Sequence, residues 1–166
     1  MAESDDPRKL AREKLLGRVS RRETSVLDAK KYLEKRGFGA EVVDALISEF
    51  CERKWLDDER YTRALIRDLT LRGKGPRFVI QKLREKGITL DSKHLEQRLS
   101  IEDMGPPETR AATVLERKFG RAAIPTERNE LFKFKQKTML FLVRRGFDFE
   151  TATRVVQQWL VRDRRA

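Results

Sequence analysis

A seven-residue segment recurs three times in this 166-residue chain, and each copy has the composition of a helix end. The copies are YLEKRGF at residues 32–38, KLREKGI at 82–88 and FLVRRGF at 141–147. Basic side chains in the last turn complement the negative end of the helix dipole. The glycine is suited to the left-handed position after a helix, and the large apolar residue that follows packs back on the last turn. The pattern predicts three copies of one helical unit.

Apolar residues recur at helical spacing on both sides of each of these glycines. Before the glycines, the pattern predicts helices over residues 8–19, 58–71 and 108–119. After them, the first and third copies share the same offsets, and the middle copy is one residue short. The apolar residues are Val42, Val43, Leu46, Ile47 and Phe50 in the first copy, and Leu95 and Leu99 in the second. In the third copy the same offsets as in the first carry Thr151, Ala152, Val155, Val156 and Trp159.

These periodicities predict an all-α protein with three helices in each copy, since no segment shows the alternation of a strand. A three-helix unit of about fifty residues buries little core, so stacked neighbours must share faces. We therefore expect an elongated, curved array of three tandem three-helix repeats. The expected divisions are a disordered acidic leader over 1–7 and repeats over 8–56, 57–103 and 104–166, with residues 120–128 as the least structured connector.

Charge narrows the choice of partner. Charged residues make up 39% of the chain and the formal net charge is +11, which indicates a polyanionic partner such as nucleic acid or a nucleoprotein surface.

The single cysteine, Cys51, excludes an internal disulfide. The acidic N-terminus lacks the apolar stretch of a signal peptide, and the longest apolar run, at 139–143, is too short to span a bilayer. We expect a cytoplasmic protein.

The segment RGKGPR at residues 72–77 has two possible explanations. Glycines around a lysine before a helix are typical of a phosphate-binding loop. However, a nucleotide-binding P-loop needs four residues between its first glycine and Gly-Lys, and then a Ser or Thr. Here Lys74 is followed by Gly75 and Pro76. We therefore predict a turn in which Gly73 ends one helix and Pro76 begins the next.

Basic residues are concentrated in two parts of the chain. Residues 60–86 include nine basic side chains and only two acidic ones, Asp68 and Glu85. A second excess of basic residues spans residues 117–145. A solvated helix face usually mixes both signs, so a nearly uniform positive face favours an anionic partner. The predicted partner-binding or DNA-binding residues are Arg60, Arg63, Arg67, Arg72, Lys74, Arg77, Lys82, Arg84, Lys86, Lys133, Lys137, Arg144 and Arg145, and the tail adds Arg162, Arg164 and Arg165.

Candidate catalytic and metal-binding groups have simpler structural explanations. The cluster Asp57-Asp58-Glu59 is expected to cap a helix and form its first turn, where negative charge is favourable. The only histidine, His94, cannot complete a common zinc site with one cysteine. The aromatic residues Trp55, Tyr61 and Phe78 have the spacing of core residues. We predict no catalytic residue, no metal and no cofactor.

The runs WLDDERY (55–61), RGKGPR (72–77) and LREKGI (83–88) resemble the signature of the RecX family, bacterial regulators of the RecA recombinase. The stretches 24–38 and 135–147 resemble the family's first and third repeats. This resemblance implies three tandem three-helix repeats. It also implies binding along the groove of RecA filaments on single-stranded DNA, inhibition of ATP hydrolysis, strand exchange and co-protease activity, and capping or destabilisation of the filament. For some members it implies direct DNA binding.

Two functional hypotheses follow. In the first, a non-enzymatic monomer regulates the RecA filament, through its basic surface, in DNA repair and recombination. In the alternative, the chain is a stand-alone DNA-binding protein built from small helical units. The alternative requires one helix per unit with several groove-reading side chains, and the three units do not share such a face.

Overall fold

The computed structural model describes residues 6–163, with side chains up to residue 161. Residues 1–5 of the predicted leader, and the side chains of Arg162, Arg164 and Arg165, lie outside this part. Within it, all regular secondary structure is helical, so the all-α prediction is confirmed. The helices are α1 (Pro7–Val19), α2 (Val26–Glu34), α3 (Ala40–Glu52), α4 (Asp58–Leu71), α5 (Pro76–Glu85), α6 (Ser92–Ile101), α7 (Pro107–Phe119), α8 (Arg128–Arg144) and α9 (Phe149–Asp163).

The three predicted helix ends have one geometry. Gly37, Gly87 and Gly146 have φ angles of 82°, 79° and 95°. In each copy the next apolar residue donates its N–H to the carbonyl five residues earlier, as in the bond from Ile88 to Leu83 of 3.0 Å. This is the Schellman arrangement, which satisfies carbonyl groups that the helix leaves unpaired. The prediction from the repeated segment is confirmed.

Aspartate side chains cap the starts of α4 and α1. The Asp57 side chain accepts hydrogen bonds from the N–H groups of Glu59 and Arg60, at 2.9 and 3.1 Å, as expected for the start of α4. Asp6 accepts from the N–H of Arg8, at 3.0 Å, so it caps α1 and these leader residues are ordered into that helix start. The connector after α7 ends one residue earlier than expected, because Arg128 is already the first residue of α8.

The contacts within the chain define two compact units. As far as the structure describes them, one contains residues up to Leu65 together with Leu83–Ile88, and the other contains Ile66–Lys82 together with residues from Thr89 onward. The first core is formed by Ala11, Leu15, Ala29, Leu33, Val43, Leu46, Phe50 and Leu56. The second is formed by Ala111, Val114, Leu115, Phe119, Leu142, Phe147, Ala152, Val155, Val156, Trp159 and Leu160.

The expected repeat boundaries at 56/57 and 103/104 stay a prediction. No helix in the described part of the chain is long and apolar enough to cross a membrane.

Candidate partner-binding surface

The RGKGPR segment forms a turn between α4 and α5. Gly73 has a φ of 74°, and the N–H of Lys74 donates to the carbonyl of Leu69 at 3.0 Å. Pro76 is the first residue of α5, where its missing N–H leaves no helical hydrogen bond unmade. The prediction that Gly73 ends one helix and Pro76 begins the next is confirmed.

The first N–H groups of α5 are bound to protein carbonyls. Gly75 donates to the carbonyl of Arg145 at 2.7 Å, and Arg77 donates to the carbonyl of Gly146 at 2.9 Å. A Cβ atom at Gly75 would overlap the carbonyl carbon of Gly146, and one at Gly146 would lie 2.5 Å from the backbone nitrogen of Phe78. We call this meeting of the start of α5 and the end of α8 the glycine contact. It occupies the donors that a phosphate-binding loop would offer.

The residues that follow α5 make a different contact. A Cβ atom at Gly87 would lie 3.2 Å from Cδ2 of Leu27, so the leucine side chain packs against this helix end. Beside it, Nζ of Lys86 lies 2.8 Å from a carboxylate oxygen of Asp28, and both side chains are mostly buried. We call this meeting of Lys86 and Gly87 with the start of α2 the leucine contact.

Several predicted binding residues take part in interactions within the chain. Arg60 pairs with Glu23 at 2.8 Å and donates to the carbonyls of Lys54 and Trp55. The Nη1 of Arg145 donates to the carbonyl of Arg72 at 3.0 Å. These two arginines therefore have structural partners that sequence spacing alone did not indicate.

Other predicted cations combine an internal contact with exposure. Arg72 pairs with Asp68 at 2.9 Å, yet its side chain is 69% exposed. Lys133 pairs with Glu130 at 2.8 Å and is similarly exposed. The Nζ of Lys74 lies 4.2 Å from the centre of the Phe78 ring, within the range of a cation–π interaction. The Nζ of Lys82 lies 5.7 Å from the same ring.

The remaining predicted cations extend into solvent. Arg63 and Arg67 on α4, Arg84 on α5, and Lys137 and Arg144 on α8 are exposed. Within the described residues none of these five makes an ion pair, so they offer their full hydrogen-bonding capacity to a partner.

Arg77 is also exposed, and its charge is felt by one carboxylate. Partial burial raises the pKa of Asp148, but hydrogen bonds from Thr151, together with the charge of Arg77, outweigh it and lower that pKa below its ordinary value.

Helix α8 adds an apolar element that the sequence analysis missed. Phe132 is 60% exposed and Leu140 is 46% exposed. They are eight residues apart, so they share a face of the helix, next to Lys133 and Lys137. Phenylalanine and lysine alternate over residues 132–135, and the spacing from Phe132 to Leu140 is the sequence signal that could have shown the exposed face.

The histidine, cysteine and acidic side chains considered for metal binding do not come together in one site within the described residues. Within the described residues, no group of three or more His, Cys, Asp or Glu side chains could hold a metal ion. His94 is exposed, and its Nδ1 lies 2.8 Å from Asp91. Cys51 is half-buried, and burial raises the pKa of its thiol.

The prediction that Trp55 and Tyr61 are core residues is confirmed, since Trp55 packs edge-on against Phe50 and Tyr61 is buried.

Comparison with known proteins gives a consistent family. A family model described as RecX, second three-helix domain, matches residues 57–91, and one described as RecX, third three-helix domain, matches residues 108–156. The regulatory protein RecX of Neisseria meningitidis serogroup C is 32% identical over 145 residues, which cover 87% of this chain and 88% of that protein. The regulatory protein RecX of Streptococcus equi subsp. equi is 28% identical, and the match covers 87% of this chain and 54% of that longer protein.

The fold agrees with solved structures. The crystal structure of RecX from Lactobacillus salivarius superposes with a TM-score of 0.71 at 19% identity, covering 94% of this chain and 98% of that one. A second structure, of a regulatory protein RecX, has a TM-score of 0.66 at 21% identity and covers 93% of this chain and 71% of that chain. At these identities the likeness concerns the fold.

Proposed function

This chain belongs to the RecX family, and on that basis we propose that it is a non-enzymatic, monomeric regulator in the cytoplasm that binds RecA filaments on single-stranded DNA and inhibits them. The observation that carries the proposal is its similarity, over most of both chains, to proteins named as regulatory. Inhibition covers ATP hydrolysis, strand exchange and co-protease activity, as the family resemblance implies.

The exposed arginines of α4 support a charged docking surface. Arg63 and Arg67 are four residues apart on one helix face, and neither has an ion-pair partner in the described chain. Like charges at this spacing destabilise a helix slightly. A partner that carries negative charge would turn this small cost into charge-assisted hydrogen bonds. Arg84 on α5 is exposed in the same way.

The test is inhibition of RecA ATPase on single-stranded DNA by the double variant Arg63→Glu/Arg67→Glu. We expect the concentration needed for half-inhibition to rise about tenfold or more, because two attractive contacts become repulsive. The matched control is Lys9→Glu/Lys14→Glu, which makes the same change of charge at two exposed residues of α1. Parent-like inhibition by a folded Arg63→Glu/Arg67→Glu protein would show that α4 is not the docking surface.

Co-sedimentation separates this function from stand-alone DNA binding. The protein is sedimented with RecA filaments and with naked single-stranded DNA across a salt series. The proposal predicts preferential recovery with filaments at every salt concentration. Tight, sequence-specific binding to duplex DNA without RecA would instead favour the alternative.

A further inference from the structure

A small basic cavity lies in the second compact unit, next to the end of α4. Its volume is about 140 Å³. Four cationic side chains line it, Arg72, Arg117, Lys118 and Arg145, and Val114 and Phe141 form part of its apolar wall. We call this space the basic cavity. It brings together residues from the ends of α4, α7 and α8 that are far apart in sequence.

Arg145 is held in place by the protein. Its Nη1 donates to the carbonyls of Arg72 and Gly73, at 3.0 and 3.4 Å, and its guanidinium lies 4.9 Å from the centre of the Phe141 ring. All of these partners are carbonyls or a ring, and no carboxylate in the described part of the chain pairs with the guanidinium. A positioned guanidinium loses little side-chain entropy when it binds an oxyanion.

Of the other three cations, one is paired with a carboxylate. Arg72 pairs with Asp68 through its Nε. Arg117 and Lys118 are exposed and make no ion pair within the described residues. The neighbouring Glu116 accepts a hydrogen bond from the indole N–H of Trp159 at 2.9 Å and does not line the cavity.

Helix dipoles account for only part of this arrangement. The ends of α4, α7 and α8 each carry roughly half a negative charge, so together they offset about one and a half positive charges. Asp68 offsets one more. Four cations therefore leave an excess of about one and a half charges around one small space, which is larger than helix termination requires.

We propose that the basic cavity binds a single phosphate group. Because a water molecule occupies about 30 Å³ in the liquid, the cavity has room for about four or five waters, the size of one tetrahedral oxyanion. It is smaller than the sites that hold drug-sized ligands and nucleotides. Guanidinium groups are well matched to phosphate oxygens, and cations approaching from three helix ends suit a tetrahedral group better than a planar carboxylate.

This site goes beyond the proposed function, because it requires no RecA. The phosphate group could belong to the backbone of a single strand or be free in solution, and the chemistry of recognition is shared. The test therefore uses this 166-residue chain without RecA, so that failure of filament inhibition would not affect its outcome.

The experiment is a titration of ¹⁵N-labelled protein with inorganic phosphate at constant ionic strength, following the amide signals of Gly73 and Lys118. We expect saturable shifts in the parent and about tenfold weaker binding in Arg117→Ala/Lys118→Ala. The control Arg121→Ala/Arg128→Ala removes two exposed charges that do not line the cavity, and its affinity should stay within about twofold. Thermal unfolding confirms that each variant is folded.

Adding an oligothymidylate and, separately, acetate to the titration identifies the source of the phosphate group and the chemistry of the anion. A twelve-residue oligothymidylate that displaces phosphate from the same signals assigns the site to a DNA backbone. If it leaves them unchanged, the site takes free phosphate, and both results support the proposal. Equal binding of acetate would overturn it in favour of a protein carboxylate. So would the absence of saturable shifts in the parent, or unchanged binding in Arg117→Ala/Lys118→Ala.

Discussion

The two ends of α5 meet other helices in different ways. At the glycine contact, the backbone of Gly75 touches that of Gly146 and two N–H groups donate to carbonyls at the end of α8. At the leucine contact, Gly87 meets the side chain of Leu27, and an ion pair joins Lys86 to Asp28. The first contact consists of backbone atoms, and the second consists of side chains.

This difference has a consequence for mutation. A contact between backbones has no flexible group that can move aside, so an added methyl group forces the helices apart. A side-chain contact relaxes by changing rotamers, and the loss of one group removes only its own packing. The glycine contact should therefore tolerate far less change than the leucine contact.

The largest effect is expected for Gly146→Ala. The new methyl group would meet Phe78 at 2.5 Å, and alanine would also adopt a φ of 95°. Together these should lower the free energy of unfolding by about 4 kcal/mol. Urea denaturation followed by circular dichroism measures the change.

The matched control is Gly37→Ala, which has a similar φ of 82° but no atom within 4 Å of an added Cβ. It isolates the conformational cost, expected to be about 1 kcal/mol. Equal losses for Gly37→Ala and Gly146→Ala would mean that the glycine contact contributes nothing beyond backbone conformation.

An intermediate effect is expected for Leu27→Ala, because Leu27 is half-buried against Gly87. Truncation should lower the free energy of unfolding by about 1.5 kcal/mol. The same denaturation experiment on Leu140→Ala, at a residue 46% exposed, should show less than about 0.5 kcal/mol. A Leu27→Ala loss as large as that of Gly146→Ala would remove the distinction between the two contacts.

The smallest effect is expected for Asp28→Asn, which breaks the ion pair with Lys86. The hydrogen bond to Asp28 raises the pKa of Lys86 above its ordinary value of 10.5. The ordinary value of 10.5 applies to the unfolded chain, so below pH 10.5 the ion pair stabilises the folded chain fully. This stabilisation is lost as the pH rises through the higher pKa that Lys86 has in the folded chain. We expect a difference from the parent of at most about 1 kcal/mol at pH 9 that narrows towards pH 11.5. A difference that is constant with pH would contradict an ionic contribution.

Helix ends, helix caps and tight turns could be predicted from the sequence. The three repeated glycines, the cap at Asp57 and the turn from Gly73 to Pro76 depend on residues within one or two turns of each other, so residue types alone predicted them. The starts of α4 and α7 came within one residue for the same reason.

Contacts between residues far apart in the chain could not be predicted from the sequence. The sequence assigned Gly75 to a turn, whereas its role is close approach to Gly146, seventy-one positions later. Arg60 was listed with Arg63 as a partner-binding residue, yet it is bound to Glu23 in the loop between α1 and α2. The presence of a second glycine beside Gly73, whose own φ already ends α4, was the available signal of the close approach.

Amide hydrogen exchange tests most directly the claim that the N–H groups of Gly75 and Arg77 serve packing against the end of α8 and do not form a phosphate cradle. N–H groups at a helix start ordinarily exchange freely, because they have no partner within the helix. Gly75 and Arg77 should instead exchange at least about 100-fold more slowly than Glu41, which holds in α3 the position that Arg77 holds in α5. Exchange of Gly75 and Arg77 as fast as that of Glu41, or protection that appears only when phosphate is added, would contradict the account.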